Sequence, residues 1–199
     1  VEEVEAHRAG GHVPYRSWCR ACVAGRGRSE PHRHVDHTED AVPTIASDYG
    51  FFGEDAEDTN CSPILVTKDS HSGWPTAIVV PTKGLVHPFG TTCMVREVLR
   101  STYANVLLKS DQERALVAVK DAAMVKLKEM GVNVSKEVSL QAESQSNGLV
   151  EETVKAVKGV ARSFKHMVEE THKITITKSD PVLPWLVRFA AAMLARNSK

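Results

Sequence analysis

The alternation of apolar and polar residues predicts an α/β chain from Thr44 onward. Short runs rich in β-branched and aromatic residues indicate strands, whereas apolar residues at three- and four-residue steps indicate helices. The predicted strands cover residues 44–52, 64–69, 76–80, 106–111 and 132–138. The predicted helices cover residues 89–103, 115–130, 150–168 and 182–196. The chain therefore follows the order βββ-α-β-α-β-α, with one further helix at its end.

The connections between the predicted strands indicate how they pair. The first three strands follow one another closely and are expected to form an antiparallel meander. Strands one and four would then be neighbours at a topological switch, where the carboxyl ends of strands open a crevice. Asp48 lies in the first of these strands and Asp111 ends the fourth. We therefore expect the two carboxylates to lie side by side.

Asp48 is unusual because it interrupts the apolar strand TIASDYGFF. An aspartate inside such a strand costs free energy unless something binds it. An aspartate that caps a turn at the strand end is the alternative. We favour a functional carboxylate.

One predicted helix combines an acid with a row of cations. After the polar segment QAESQSNG, apolar residues recur at helical spacing from Val150 to Val168. Another face carries Glu151, followed by Lys155, Lys158, Arg162 and Lys165. A solvated helix with i,i+4 ion pairs is the ordinary interpretation of charges at such spacing. Because the row is entirely cationic beyond Glu151, however, it is better suited to lie along a phosphate backbone.

The first 35 residues contain the ligands of a four-coordinate metal site. His7 and His12 are followed by Cys19 and Cys22, and two histidines with two cysteines are typical of structural zinc. A segment this small cannot fold on hydrophobic burial alone, so the metal would supply much of its stability. A partial site with two cysteines and one histidine, or no site, remains the alternative.

Length and composition limit the class of protein. The 199 residues suit one medium domain with a small appendage, here an arm over 1–35 and a core over 42–199. The net charge is zero, but residues 8–34 hold six arginines and one acid, whereas residues 36–58 hold eight acids and no lysine or arginine. No apolar run long enough for a membrane span is present. The start at Val1 leads us to expect a fragment of a longer polyprotein.

Together these residues resemble the integrases of retroelements, specifically those of copia-type retrotransposons. The resemblance is carried by Asp48 in ASDYGFF, Asp111 in LLKSDQERAL and Glu151 in SQSNGLVE. The last segment is similar to the family's S-x-x-G-hydrophobic-V-E signature, and the upstream His/Cys set resembles its zinc module. The resemblance implies an α/β fold with an RNase H-like mixed five-stranded sheet flanked by helices, plus a small N-terminal zinc-binding arm.

The resemblance also implies the chemistry. Asp48, Asp111 and Glu151 would be the catalytic residues and would bind two Mg²⁺ or Mn²⁺ ions per active site, which suits the preference of these ions for carboxylate oxygens. The zinc ligands would be His7, His12, Cys19 and Cys22. The implied reactions are processing of the element's 3′ DNA ends and strand transfer into target DNA by a polynucleotidyl transferase, with endonuclease activity as a further expectation.

The implied partners are element ends and target DNA. The expected DNA contacts are Asn147, Lys155, Lys158, Arg162 and Lys165, although capping of the helix is an equal alternative for Asn147. No membrane partner is expected. The resemblance further implies a homo-oligomer, and the DNA substrate implies a nuclear location.

Several alternatives stay open. Glu152 and Glu143 compete with Glu151 for the third-ligand position, but Glu152 lies about 100° round the helix and Glu143 lacks the following Gly-hydrophobic-Val context. Glu113 is not expected to be a ligand. A catalytically silent nucleic-acid-binding relic, or an RNase H-like nuclease that cleaves without joining, would also fit the sequence.

Overall fold

The computed structural model describes residues 2–25, 42–52, 62–137, 148–177 and 179–197. The strands in this part of the chain are β1 (Thr44–Phe51), β2 (Pro63–Asp69), β3 (Pro75–Val79), β4 (Asn105–Ser110) and β5 (Asn133–Lys136). The helices are α1 (Glu2–Ala9), α2 (Arg20–Gly25), α3 (Phe89–Ser101), α4 (Arg114–Glu129), α5 (Gly148–His172) and α6 (Val182–Asn197). None of these helices is long and apolar enough to cross a membrane.

The chain divides into two compact units, and the division falls within α5. Residues Asp36–Val154 form one unit, which we call the sheet unit. Residues Val1–Val35 and Lys155–Lys199 form the other, which we call the helical unit. The N-terminal arm predicted from the sequence therefore clusters with the C-terminal helices.

The five strands form one mixed sheet in the order β3-β2-β1-β4-β5. β1 pairs antiparallel with β2, and β2 pairs antiparallel with β3, so the predicted antiparallel meander is confirmed. β1 pairs parallel with β4, and β4 pairs parallel with β5. This order with these directions is the RNase H-like arrangement, so the predicted fold class is confirmed.

Alternation along β1 directs successive side chains to two opposite faces of the sheet. Ile45 and Tyr49 point into an apolar core that also contains Val98 of α3, Leu116 of α4 and Leu108 of β4. Burial of each large apolar side chain contributes about 1.5–3 kcal/mol. Because successive strand residues point to opposite faces, the side chain of Asp48 is directed away from this core.

The helical unit is built around an apolar stripe on α5. Val157, Ala161 and Phe164 are buried, and the ring of Phe164 lies 4.9 Å from that of Phe189 in α6. The apolar face predicted for this helix is therefore confirmed. Gly25 ends α2 against α5, where an added Cβ would come within 2.5 Å of the Ser163 backbone nitrogen. Only glycine permits this close approach.

The predicted element boundaries differ most at α5 and at the N-terminus. α5 continues four residues beyond the predicted end at Val168 and stops at His172, where Lys173 adopts a left-handed conformation with φ 54°. No glycine marks this end in the sequence, which is the usual signal. The short helices α1 and α2 were not predicted, since neither has an apolar period long enough to detect.

Candidate functional site

Three acidic residues come from three elements of the sheet unit. Asp48 lies within β1 and Asp111 directly follows β4. Ser47 is the parallel partner of Ser110 on the neighbouring strand. Asp48 and Asp111 directly follow these two paired residues in the sequence. Their predicted side-by-side placement is confirmed. Glu151 lies in the first turn of α5.

The carboxyl group of Asp48 has a strongly perturbed environment. The pKa of Asp48 is raised to about 6, chiefly by burial and also by the negative charges of Asp111, Glu151 and Glu113, against a hydrogen bond that lowers it. That bond runs from the Tyr49 backbone N–H to Asp48 Oδ1 at 2.7 Å. The like charges that act on Asp48 identify one shared electrostatic site, and the exposed Asp111 and Glu151 leave this site open to solvent.

The two neighbouring glutamates of α5 act on different groups. The negative charge of Glu151 raises the pKa of Asp48. Burial lowers the pKa of Lys68, whereas the charge of Glu152 raises it. Adjacent helix residues point about 100° apart, which accounts for the difference. In the structure, Glu151 is thus the acid of this pair that is associated with Asp48.

An ion pair beside this site was not predicted. Lys83 Nζ lies 2.6 Å from Glu113 Oε1, and the same ammonium lies 4.9 Å from the centroid of the Phe51 ring. The next residue, Gly84, donates its backbone N–H to the Tyr49 hydroxyl at 3.3 Å. These contacts hold the segment between β3 and α3 beside β1. A single lysine in an irregular segment gives no periodic signal that could have revealed the pair.

The predicted His/Cys set forms a compact cluster in the helical unit. One ligand atom from each of His7, His12, Cys19 and Cys22 lies within 4.8 Å of every other. Cys19 Sγ lies 3.3 Å from His12 Nδ1, and Cys22 Sγ lies 3.3 Å from His7 Nε2. Tetrahedral zinc with ordinary bond lengths would separate sulfur and nitrogen ligands by about 3.6 Å. All four residues, rather than three, can therefore hold one metal ion.

A tight turn lies at the second histidine of the cluster. Gly11 and His12 both have positive φ values, 71° and 61°, and this reverses the chain directly after α1. His12 is 1% exposed, with Met167 Sδ at 3.3 Å from its Nε2. The indole ring of Trp18 lies 5.0 Å from the His7 ring. The cluster thus packs against apolar and aromatic groups, while Cys19 stays partly exposed.

Within the described ranges, the His/Cys set is the group whose ligand atoms converge as for a metal ion, and the three acids of the sheet unit do not form such a group. The acids form an electrostatic group with no ion pair to a basic side chain among the described residues.

The predicted DNA-binding cations of α5 differ in their surroundings. Lys155 is exposed. Burial lowers the pKa of Lys158, and the charge of Arg162 lowers it further. Lys165 is already engaged, since its Nζ lies 2.6 Å from Glu169 Oε1. Asn147 lies outside the described residues, and contact of all five with DNA stays a prediction.

Comparisons with known proteins give distant structural similarity only. No family model matches the chain, and no curated protein matches it. Among solved structures, the chain is similar to the HTLV-2 integrase catalytic core domain in complex with magnesium, in a trimeric form. The sequence identity is 11% and the TM-score is 0.48, over 78% of this chain and 86% of that chain. A similarity this distant assigns no role to any residue.

Proposed function

We propose that the chain catalyses metal-dependent phosphoryl transfer on DNA, as the zinc arm and catalytic core of a retrotransposon integrase of the copia type. The reactions would be 3′-end processing and strand transfer. The observation that carries the proposal is the carboxyl group of Asp48, whose pKa is raised to about 6 by burial and by the charges of Asp111 and Glu151. Such a pKa in an open site favours a functional role.

The donor set fits magnesium or manganese. Asp48, Asp111 and Glu151 offer only carboxylate oxygens, the ligands that these hard cations prefer. A divalent cation would also offset the repulsion that raises the pKa of Asp48. When two such ions are bound, they supply activation of the attacking oxygen and stabilisation of the leaving oxygen in an in-line displacement.

The chain itself holds the three acids in place. The Tyr49 N–H donates to Asp48 Oδ1, and the Glu113 N–H donates to Asp111 Oδ1 at 3.1 Å. Glu151 is carried by a helix whose Val150 is fully buried. Acids supported by a strand, a strand end and a helix are preorganised, so little free energy is spent on ordering them during the reaction.

The His/Cys cluster is proposed to bind zinc in a structural role. Two imidazole nitrogens and two thiolates form a closed four-ligand set, which leaves no position for a substrate. Buried Cys22 and His12 place the ion in the interior of the helical unit, so its binding would contribute directly to folding.

Lys155, Lys158, Arg162 and Lys165, together with Asn147, are proposed to contact the DNA. Joining two element ends to a target requires at least two active sites, so the proposal includes a homo-oligomer. Its DNA substrates place the reaction in the nucleus.

A disintegration assay on branched DNA with manganese tests the proposal. Wild type should release and join strands, and Glu151→Gln should lose the joined product while it retains DNA binding. Glu152→Gln is the matched control, since Glu152 acts on Lys68 rather than on Asp48, and it should retain activity. Joined product from Glu151→Gln would contradict the assignment of the third acid.

Two other outcomes would replace the proposed function. Cleavage without joining would indicate a nuclease of the same fold. DNA binding without either reaction, in protein that contains zinc and is folded, would indicate a silent binding module.

A further inference from the structure

The two ring nitrogens of His12 face different groups within the helical unit. Nδ1 lies 3.3 Å from Cys19 Sγ and 3.9 Å from Cys22 Sγ. Nε2 lies 3.3 Å from Sδ of Met167, a residue of α5 that is not part of the His/Cys cluster. The cluster is therefore built on Nδ1, and the methionine sulfur is offered to the other nitrogen.

This arrangement determines where the proton of the His12 ring belongs when a metal ion is held. A neutral imidazole carries one N–H, and the nitrogen that binds a metal carries none. With Nδ1 directed at the cysteines, the proton lies on Nε2 and is donated to Met167 Sδ. A thioether is a weak acceptor, but His12 is only 1% exposed, so the sulfur takes the place that water has at an exposed histidine.

α5 supplies a second contact that fixes the orientation of the same ring. Phe164 lies three residues before Met167, so the two side chains project from one face of the helix. The ring of Phe164 is 4% exposed and stands edge-on to the His12 ring, with 5.8 Å between the centroids. A ring contact and a hydrogen-bond acceptor from one helix together restrict rotation of the imidazole, which keeps Nδ1 directed at the cysteines.

We propose that Met167 is a positioning residue of the metal site, whose sulfur accepts the Nε2–H of His12 and so holds the ring in its metal-binding tautomer. The proposal rests on the zinc-binding part of the proposed function and does not depend on phosphoryl transfer. Met167 is not a ligand of the same ion, because its sulfur faces the nitrogen that the cluster does not use. Hydrogen-bond partners of this kind fix the tautomer and raise the affinity of metal-binding histidines.

The zinc affinity of three variants, measured by competition with a chromogenic chelator, tests the proposal. Met167→Leu keeps the apolar volume but removes the acceptor, and it should weaken zinc binding about tenfold. Met167→Gln provides an amide oxygen as a new acceptor and should bind zinc nearly as tightly as wild type. Met193→Leu is the matched control, because Met193 is also buried in the helical unit and packs against Gly11 beside His12, and it should change the affinity little.

A second measurement on wild type needs no substitution. Long-range ¹H–¹⁵N spectra of the zinc-bound protein distinguish a protonated ring nitrogen from a metal-bound one. His12 should carry its proton on Nε2, and in Met167→Leu this proton should exchange faster with water. A wild-type His12 that carries its proton on Nδ1 would overturn the proposal, since the sulfur would then have no N–H to accept.

The role of Met167 and the proposed function can fail separately. If wild type binds one zinc ion and Met167→Leu binds it equally well, the zinc site stands and the positioning role fails. Equal losses for Met167→Leu and Met193→Leu would show that packing alone matters, which also overturns the role. If only Met167→Leu loses affinity and wild type joins no strands, the positioning role stands and the enzyme proposal fails. Folded wild type that binds no zinc would overturn both the zinc site and the role of Met167.

Discussion

The ammonium of Lys83 lies 2.6 Å from the carboxylate of Glu113 and above the ring of Phe51. Lys83→Met should therefore lower the free energy of unfolding by about 1 kcal/mol, because it leaves a partly buried carboxylate without its partner and removes a cation–π contact. Urea denaturation at neutral pH measures the change. The double variant Lys83→Met with Glu113→Gln should recover part of the loss, since it removes the unpaired charge.

The pair between Lys136 and Asp121 is the appropriate control, because both side chains are 47% exposed. Lys136→Met should change the free energy of unfolding by less than about 0.5 kcal/mol. If Lys83→Met and Lys136→Met lost equal amounts of unfolding free energy, the partly buried position of Lys83 would add nothing to the stability of its ion pair.

Asp48→Asn should stabilise the protein in the absence of divalent cations. The folded-state pKa of Asp48, about 6, lies above its ordinary value of 3.8, so the folded protein binds the proton more tightly than the unfolded chain. The free energy of unfolding of wild type therefore decreases as the pH rises from 3.8 through about 6. Asp48→Asn avoids this decrease. We expect a gain of roughly 2 kcal/mol at pH 8 after allowance for solvent screening, which decreases towards pH 5.

Urea denaturation of both proteins between pH 5 and pH 8 checks this dependence. Asp121→Asn serves as a control, since it removes a carboxylate that is already paired with Lys136 and should not stabilise. Added magnesium should stabilise wild type but not Asp48→Asn, because a ligand stabilises only the form that binds it. A wild type more stable than Asp48→Asn at pH 8 without metal would contradict the argument.

The sheet could be predicted because local patterns determined it. The apolar run around Asp48, the short connections between the first three strands and the helical spacing after Val150 each depend on neighbours in sequence. The predicted neighbours β1 and β4 are paired in the structure. By contrast, β5 covers only Asn133–Lys136, and residue 138 at the end of the predicted strand lies outside the described residues.

The candidate site was only partly predictable, because some of its charges are defined by tertiary packing. Lys83 and Glu113 are thirty residues apart, and no pattern connects them. For the metal cluster, the sequence provided the four ligand types, whereas the turn at Gly11 and His12 that brings them together depends on backbone geometry.

Cys22→Ser should remove the metal from the helical unit. Cys22 is completely buried with its sulfur 3.3 Å from His7 Nε2, and a serine hydroxyl is a poor zinc ligand. Bound zinc should fall from about one ion per chain to nearly none, with loss of helical circular dichroism, because metal binding and folding are coupled. Metal analysis and spectroscopy on the same samples measure both effects.

Cys93→Ser provides the control for this change. Cys93 is also buried but belongs to α3 of the sheet unit and not to the His/Cys cluster. It should retain full zinc content even if its stability falls. Equal loss of zinc from the two variants would rule out a specific site at Cys22.

Lys155 and Lys165 should respond differently to the same substitution. Lys155 is exposed, so Lys155→Met should weaken binding to duplex DNA and reduce the salt slope by about 0.9. Lys165 is paired with Glu169, whose carboxylate also accepts the Ile176 N–H at 2.7 Å. Lys165→Met should therefore act mainly on stability, with a loss of about 0.5 kcal/mol and a smaller change in the slope.

Salt-dependent binding and urea denaturation of both variants separate the two effects. If Lys165→Met reduced the slope as much as Lys155→Met, the pair with Glu169 would have to open when DNA binds, and Lys165 would be a phosphate contact equal to Lys155.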